Sequence, residues 1–470
     1  MPLPINAAGL RHITTVRQPE RYPPDAYDAL MIDLGHFLEC DRERLVAELA
    51  GAFPEADRGQ SHASVVGMAI RGGRQAALDR MAAIDPVAYA RTRNHVTGAV
   101  SGLSPWIRHG VVSLAEVRDR ALALVDRPDD AVKFVSELGW RDYWRQVHAA
   151  LGDRIRDSIE PPAALPRAGG KERVPDDVLA AATGMECIDA FVRRLHDTGW
   201  LHNHERMWLA SWLVHVRGVR WQAGAGWFLE HLLDGDPASN HLSWQWVAGT
   251  FSAKPYIFNR ENLEGFTSGV HCSRCPLIGG CDVEGDYDDL AARFFQPEPA
   301  AAARQPLRIR PAAPRVMGGT LAAGRRPLVW LTLDSLSAKS PAASNHPAAP
   351  RVFVVDPLWL AEERPTLKRF AFVFECLADV PEVEVHLGDP AEVLASRARA
   401  HGCDHVAVAE TPCPRVRRAA ETLATGLPVA IVSWPQFSDR SRVKDLGRFS
   451  RYWQQVSGSA LVPTAKSSGE

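Results

Sequence analysis

The sequence predicts a multidomain α and α/β chain: an all-helical part first, then a small doubly wound α/β domain on a parallel sheet. Three observations predict it. Runs such as DAVKFVSELGWRDYWRQVHAAL and GMECIDAFVRRLHDTGW space apolar residues three and four apart, the period of a helix with one buried face. The stretch PEPAAAARQPLRIRPAAPRVMGGTLAAGRR is rich in Pro, Ala, Gly and Arg and has no apolar period, which marks a linker. After it, PLVWLTL, RVFVVD, VEVHLGD, HVAVAE and LPVAIVSW are short unbroken apolar runs between helical stretches, as strands buried on both faces of a parallel sheet require.

In chain order, residues 1–66 read as an N-terminal helical extension, 67–296 as the helical body, 297–326 as the linker, 327–455 as the α/β domain and 456–470 as a flexible tail. A hydrophobic content of 46% over 470 residues supports cores for two or three domains. No uninterrupted apolar run reaches the roughly 18 residues a membrane span needs, and MPLPINAAGLRHITTVRQPERYPP lacks the basic start and apolar centre of a signal peptide. A cytoplasmic monomer without membrane contact is the expectation. The net charge of -2 argues against a globally basic nucleic-acid binder, although a local basic groove would be hidden in that total.

The chemistry-bearing residues concentrate in TGWLHNHERMWLASWLVHVRGVRWQAGAGWFLEHLLDGDPASNHLSWQWVAGT. On a helix, Asn203 and Met207 share a face, with Arg206 beside them. An arginine among Trp208, Leu209 and Trp212 needs a carboxylate, which Asp234 or Asp236 can supply. Taken alone, that is an ion pair orienting two helices. Further on, HCSRCPLIGGC sets Cys272, Cys275 and Cys281 at metal-ligand spacing. A fourth ligand, His271 or another residue, would complete zinc, and an iron–sulfur cluster is equally compatible with the spacing. Cys40, Cys376, Cys403 and Cys413 show no ligand spacing and read as buried thiols.

Together GWLHNHERM and DGDPASNHLSWQW resemble the flavin-binding helical domain of the photolyase and cryptochrome family, with its GW-x-H-N-x-x-R-M and DGD-x-A-x-N-x-x-x-WQW segments. The resemblance implies a light-driven repair enzyme for cyclobutane pyrimidine dimers in DNA, a lyase that works by electron transfer from photoexcited reduced FAD. The alternative it leaves is a cryptochrome-like blue-light or redox sensor without repair. A cluster-bearing DNA-binding protein without photochemistry is a weaker third reading.

YARTRNHVTGAVSGLSPWIRHGVVS is similar to the family's diphosphate-wrapping segment, which implies Tyr89, Ser101, Leu103 and Ser104 as FAD contacts. SGLSP also offers N–H groups and hydroxyls at a helix start, a natural anion seat. Val100 and Gly102 stand where the family carries threonine and arginine, implying a looser seat. SELGWRDYW resembles the family's E-L-x-W-R-E-F helix. By that correspondence Glu137, Trp140 and Trp246 form the lesion pocket, and Arg141 joins the cofactor contacts. Asn240 would face the flavin N5, Arg206 with Asp234 would stabilise the reduced anion, and Asp236 would meet the other edge of the ring. Asn203 and Met207 stand where members repairing the other ultraviolet lesion carry histidines, which implies the cyclobutane dimer.

Trp244 and Trp221 fall on the first two positions of the family's electron relay. The third aligns near Val178, leaving Trp227, Trp212 or Trp208 as substitutes. TGMECIDA places Cys187 where one bacterial photolyase subgroup carries the first ligand of a [4Fe–4S] cluster, so the resemblance implies Cys187, Cys272, Cys275 and Cys281 as ligands, with zinc the lesser alternative. The α/β runs resemble the family's N-terminal domain, yet here they follow the helical one, which implies a circular permutation, with the extension packing against the new join. WLTLDSLSAKSPAASNHPAAPR lacks the family's arginine-bearing WFRRDLR pattern, which argues against an antenna chromophore.

Overall fold

The computed structural model describes residues 32–58, 61–167, 169–297, 307–312 and 325–464. Expectations for residues 1–31, for most of the linker and for the last six residues lie outside the described residues. Five strands that follow the helical body and one short strand that precedes it form a sheet of order β1-β4-β3-β2-β5-β6, with β1 Ile32–Asp33, β2 Pro327–Leu331, β3 Arg351–Val355, β4 Val383–Leu387, β5 His405–Ala409 and β6 Val429–Val432. The last five run parallel, and β1 adds an antiparallel edge on β4 through Ile32 opposite Leu387. Every residue of β3 and β5 is buried, which is why these strands read as unbroken apolar runs.

The two sheet faces bury different partners. Leu328, Trp330, Val352, Val354, Val406 and Val408 share one cluster with the helices Pro390–Ala400 and Pro414–Leu423. The other face, through Val329, Leu331, Phe353 and Val355, belongs to one continuous cluster with the helix Leu367–Ala378 and with residues of the helical body that include Leu138 and Leu233. The two parts therefore share a core. The described part of the N-terminal extension packs on the α/β domain: Phe53 stacks on Phe370 at 4.6 Å and Phe37 meets Phe374 edge-on at 5.3 Å. It covers the helix Leu367–Ala378, because those phenylalanines are that helix's apolar stripe.

The described linker residues pack against the C-terminal segment, where the Leu446 N–H donates to the Ile309 carbonyl at 2.8 Å. Residues 456–460, expected as part of a flexible tail, instead complete the helix Phe449–Ala460. Val456 and Ala460 are buried, an apolar pair four apart that SGSA alone did not advertise. Among the described residues no helix is long and apolar enough to cross a membrane.

Two helices of the body position the site. Val132–Leu151 carries Glu137, Trp140 and Arg141. Pro237–Ala248 starts from Asp236, whose carboxylate accepts the Ala238 and Ser239 N–H groups with proline in the first turn, and it stops at Gly249 with φ +77°. Gly224, on Trp221–His231, lets that helix approach Pro237–Ala248: a Cβ there would lie 2.3 Å from the Trp244 ring.

Candidate functional site

Of the polar residues singled out in the sequence, Ser104, Arg141, Arg206, Asp234 and Asp236 come together in one charged group. Arg206 grips Asp234 with both terminal nitrogens, at 3.0 and 2.9 Å, while its Nε donates to the Leu201 carbonyl at 2.9 Å. Burial opposes ionisation of Asp234, but the Arg206 charge and hydrogen bonds from Arg206 and Ser104 outweigh it and hold the carboxyl below its usual range. The Trp200 indole donates to the Ser104 hydroxyl at 3.2 Å. Asp236 lies 3.5 Å from Arg141; it too is buried, and Arg108, Arg141 and Arg145 keep it ionised. Asn240 is buried, with its amide donating to the Ala225 carbonyl at 2.8 Å. Asn203 is exposed, and its amide nitrogen lies 3.2 Å from the sulfur of half-buried Met207.

The expected diphosphate seat is modest. Its helix, Ser104–Arg108, has five residues, so hydroxyls and amides are what it offers an anion, with little dipole behind them. The Leu103 side chain is buried in the core, leaving only its backbone to serve a ligand; its N–H turns 3.4 Å toward the Ser101 hydroxyl. Gly102 adopts φ +63°, and the Arg80 guanidinium lies 3.4 Å from where its Cβ would be. Arg80 thus brings a cation to this turn, and no motif in the sequence marked it. Tyr89 packs edge-on against Phe134 at 5.0 Å, and burial, with Glu137 nearby, pushes its hydroxyl above the usual range.

The expected lesion wall is more dispersed. Glu137 lies 3.4 Å from both Arg93 and Lys133. Trp140 stacks face to face on Phe449, with ring centroids 3.8 Å apart and planes 13° from parallel. Trp246 packs in another aromatic group, 5.5 Å from Tyr256.

The tryptophans expected to form a relay sit in largely apolar surroundings. Trp244 is buried, edge-on to Phe228 at 5.0 Å, and Trp221 donates its indole N–H to Ser158 at 3.1 Å. Val178, at the expected third position, is fully buried. Trp212 and Trp208 donate to Asp282 and Asn262, at 3.0 and 3.3 Å. The Trp227 indole N–H has no partner among the described residues, with His196 6.0 Å away.

Cys187, Cys272, Cys275 and Cys281 line a single cavity together with the apolar Met185, Leu263, Ile278 and Val283 and with Arg260 and His271. Burial raises the Cys187 thiol, neighbouring cysteines adding to it, and raises Cys272 to about 11. Among the described residues no group of three or more His, Cys, Asp or Glu closes on a single-ion site. A second cleft lies at the carboxyl ends of β2, β3 and β5 and is spanned by ion pairs: Arg108 with Asp334, and Glu363 with Arg369 and Arg415 at 3.0 and 2.9 Å.

Residues 134–265 match the family described as the FAD binding domain of DNA photolyase. The fold is accordingly a photolyase-type helical FAD-binding domain combined with a parallel-sheet α/β domain. Among curated relatives, a deoxyribodipyrimidine photo-lyase of Streptomyces griseus is 40% identical over 152 residues, 32% of each chain. One of Vibrio cholerae is 34% identical over 167 residues, 34% of this chain and 35% of the other. A rice cryptochrome DASH is 33% identical over 193 residues, 39% of this chain and 33% of the other. The chain thus spans about a third of the length of these relatives. A solved Synechocystis cryptochrome is 25% identical with a TM-score of 0.39, over 45% of this chain and 46% of that one.

Proposed function

We propose that this protein splits cyclobutane pyrimidine dimers in DNA with light, in a circularly permuted member of the photolyase and cryptochrome family. The observation that carries the reading is the buried group Arg206–Asp234–Ser104 with Arg141–Asp236, inside the segment that matches a photolyase FAD-binding domain. Its donor set fits FAD: two guanidinium groups held by buried carboxylates, and serine hydroxyls with Arg80 at the turn where a diphosphate would lie. Bound there, FAD would supply light absorption and a transferable electron. Arg206 would then favour the reduced anion, Asp234 would keep Arg206 in place, and Asn240 would set the polarity beside the ring. Glu137 and Trp140 would receive the flipped-out dimer, Glu137 by hydrogen bonding and Trp140 by stacking, with Asn203, Met207 and Trp246 around it. Trp244 and Trp221 would return electrons to the flavin.

The cysteine cavity is assigned to a [4Fe–4S] cluster on the family resemblance; its four sulfurs with His271 alongside would also suit zinc, the alternative occupant. Thiols disfavoured as thiolates by burial become good ligands once a multivalent centre offsets their charge. The ion-paired cleft beside the sheet gives no support to an antenna chromophore. The alternative reading is a blue-light or redox sensor that keeps the same flavin pocket but performs no repair. Dimer-bearing oligonucleotide and reduced protein separate the two: blue light but not darkness should restore pyrimidines, whereas a sensor would show flavin photochemistry with no preference for damaged DNA. Anaerobically purified protein should also carry FAD, with iron and sulfide near four per chain. Zinc in their place would replace the cluster assignment.

A further inference from the structure

We infer that Phe449 is a positioning residue for Trp140: the C-terminal helix Phe449–Ala460 backs one face of the indole, so that its other face is the one offered to a planar ligand. This rests on the lesion-binding reading above, and it brings into the site an element outside the segment shared with photolyases. Trp140 meets Phe449 at 3.8 Å with nearly parallel planes, whereas Trp144 and Tyr143 stand at 43° and 78° to it. Phe449 is thus its one coplanar partner among the described residues, and Trp140 stays half-buried. Trp453 also lies beside Phe449, with centroids 5.9 Å apart and planes 18° from parallel, so that the rings run nearly parallel.

The backing is fixed. Tyr452 donates its hydroxyl to buried Asp142, on the same helix as Trp140. Arg448 grips Glu160 with two nitrogens at 2.8 Å each, and the Tyr143 hydroxyl donates to the Leu446 carbonyl at 2.8 Å. Trp453 sits so close to Gly139 that a Cβ there would meet its ring at 2.5 Å. A cover meant to swing aside would not be fastened to the helix it covers through both Leu446 and Tyr452, with Arg448 held by Glu160 between them. A ring held in its binding orientation also loses less freedom when a base stacks on it.

The test is dark binding of full-length, flavin-loaded protein to a dimer-bearing oligonucleotide, for Phe449→Ala, Phe449→Leu and Phe449→Tyr, in wild-type and Trp140→Ala backgrounds. Phe449→Ala should weaken binding roughly threefold to tenfold, as loss of an aromatic pair implies. Phe449→Leu, which keeps bulk but not the plane, should weaken it as well, and Phe449→Tyr should retain affinity. Undamaged DNA binding and flavin content should hold steady. In the Trp140→Ala background the Phe449 substitutions should have no further effect, which a general structural defect would not reproduce. An equal loss in both backgrounds overturns the inference, as does tighter binding by Phe449→Ala, which would mark the helix as a cover. If Trp140→Ala alone leaves damaged-DNA binding intact, the lesion reading falls and this role falls with it.

Discussion

Arg141 and Trp140 are neighbours on one helix and end in unlike regions. Arg141 reaches a buried charge group completed by Asp236, whereas Trp140 joins an aromatic slab completed by Phe449 from the far end of the chain. In the first region, charge must be matched locally, and the partners sit in short motifs that the sequence displays. In the second, any apolar ring of suitable shape serves, and its source is set by how the chain returns. The two should therefore fail differently.

Arg206→Ala should have the largest effect, leaving the Asp234 carboxylate buried without its cation. A loss of about 3 kcal/mol in urea unfolding of flavin-free protein is expected, the low end for breaking a buried pair because the guanidinium keeps some solvent. Gly224→Ala should cost about 1–3 kcal/mol by forcing Trp244 to shift, with slowed flavin photoreduction as a second readout. Trp140→Ala, by contrast, should leave flavin content normal and weaken damaged-DNA binding roughly tenfold.

Acid should act on the buried histidines. Burial lowers His215 to about 4, below its ordinary value of about 6.5, so it folds neutral. Its stabilisation is present above about pH 6.5 and is lost as pH falls toward 4, because the unfolded chain takes up the proton first. His215→Gln should flatten the pH dependence of unfolding in that window by at most about one proton, or about 1.4 kcal/mol per pH unit. Arg80→Ala should be mildest, loosening FAD retention by no more than about fivefold, since an exposed cation contributes about 1 kcal/mol or less.

Legibility followed the same divide. The unbroken strand runs, Arg206 with its carboxylate and the spacing of Cys272, Cys275 and Cys281 were readable because period, charge pairing and ligand spacing act through nearby residues, whereas Cys187 was reached only through the family resemblance. Arg80 beside Gly102, Phe449 behind Trp140 and the phenylalanine contacts that seat the N-terminal extension depend on distant segments meeting, which leaves no local pattern. The helix through Ala460 was hidden by its small polar residues, although packing, not propensity, holds it.

The most direct measurement is the ultraviolet absorbance that returns when thymine dimers revert to monomers, followed for chemically reduced protein under blue light and in darkness, beside Glu137→Ala. Wild type should restore absorbance only in the light, and Glu137→Ala should lower the yield per absorbed photon more than it lowers affinity, since its hydrogen bond matters most as charge redistributes during splitting. No recovery by flavin-loaded, reduced wild type, or equal recovery by Glu137→Ala, would contradict a lesion site on this helix.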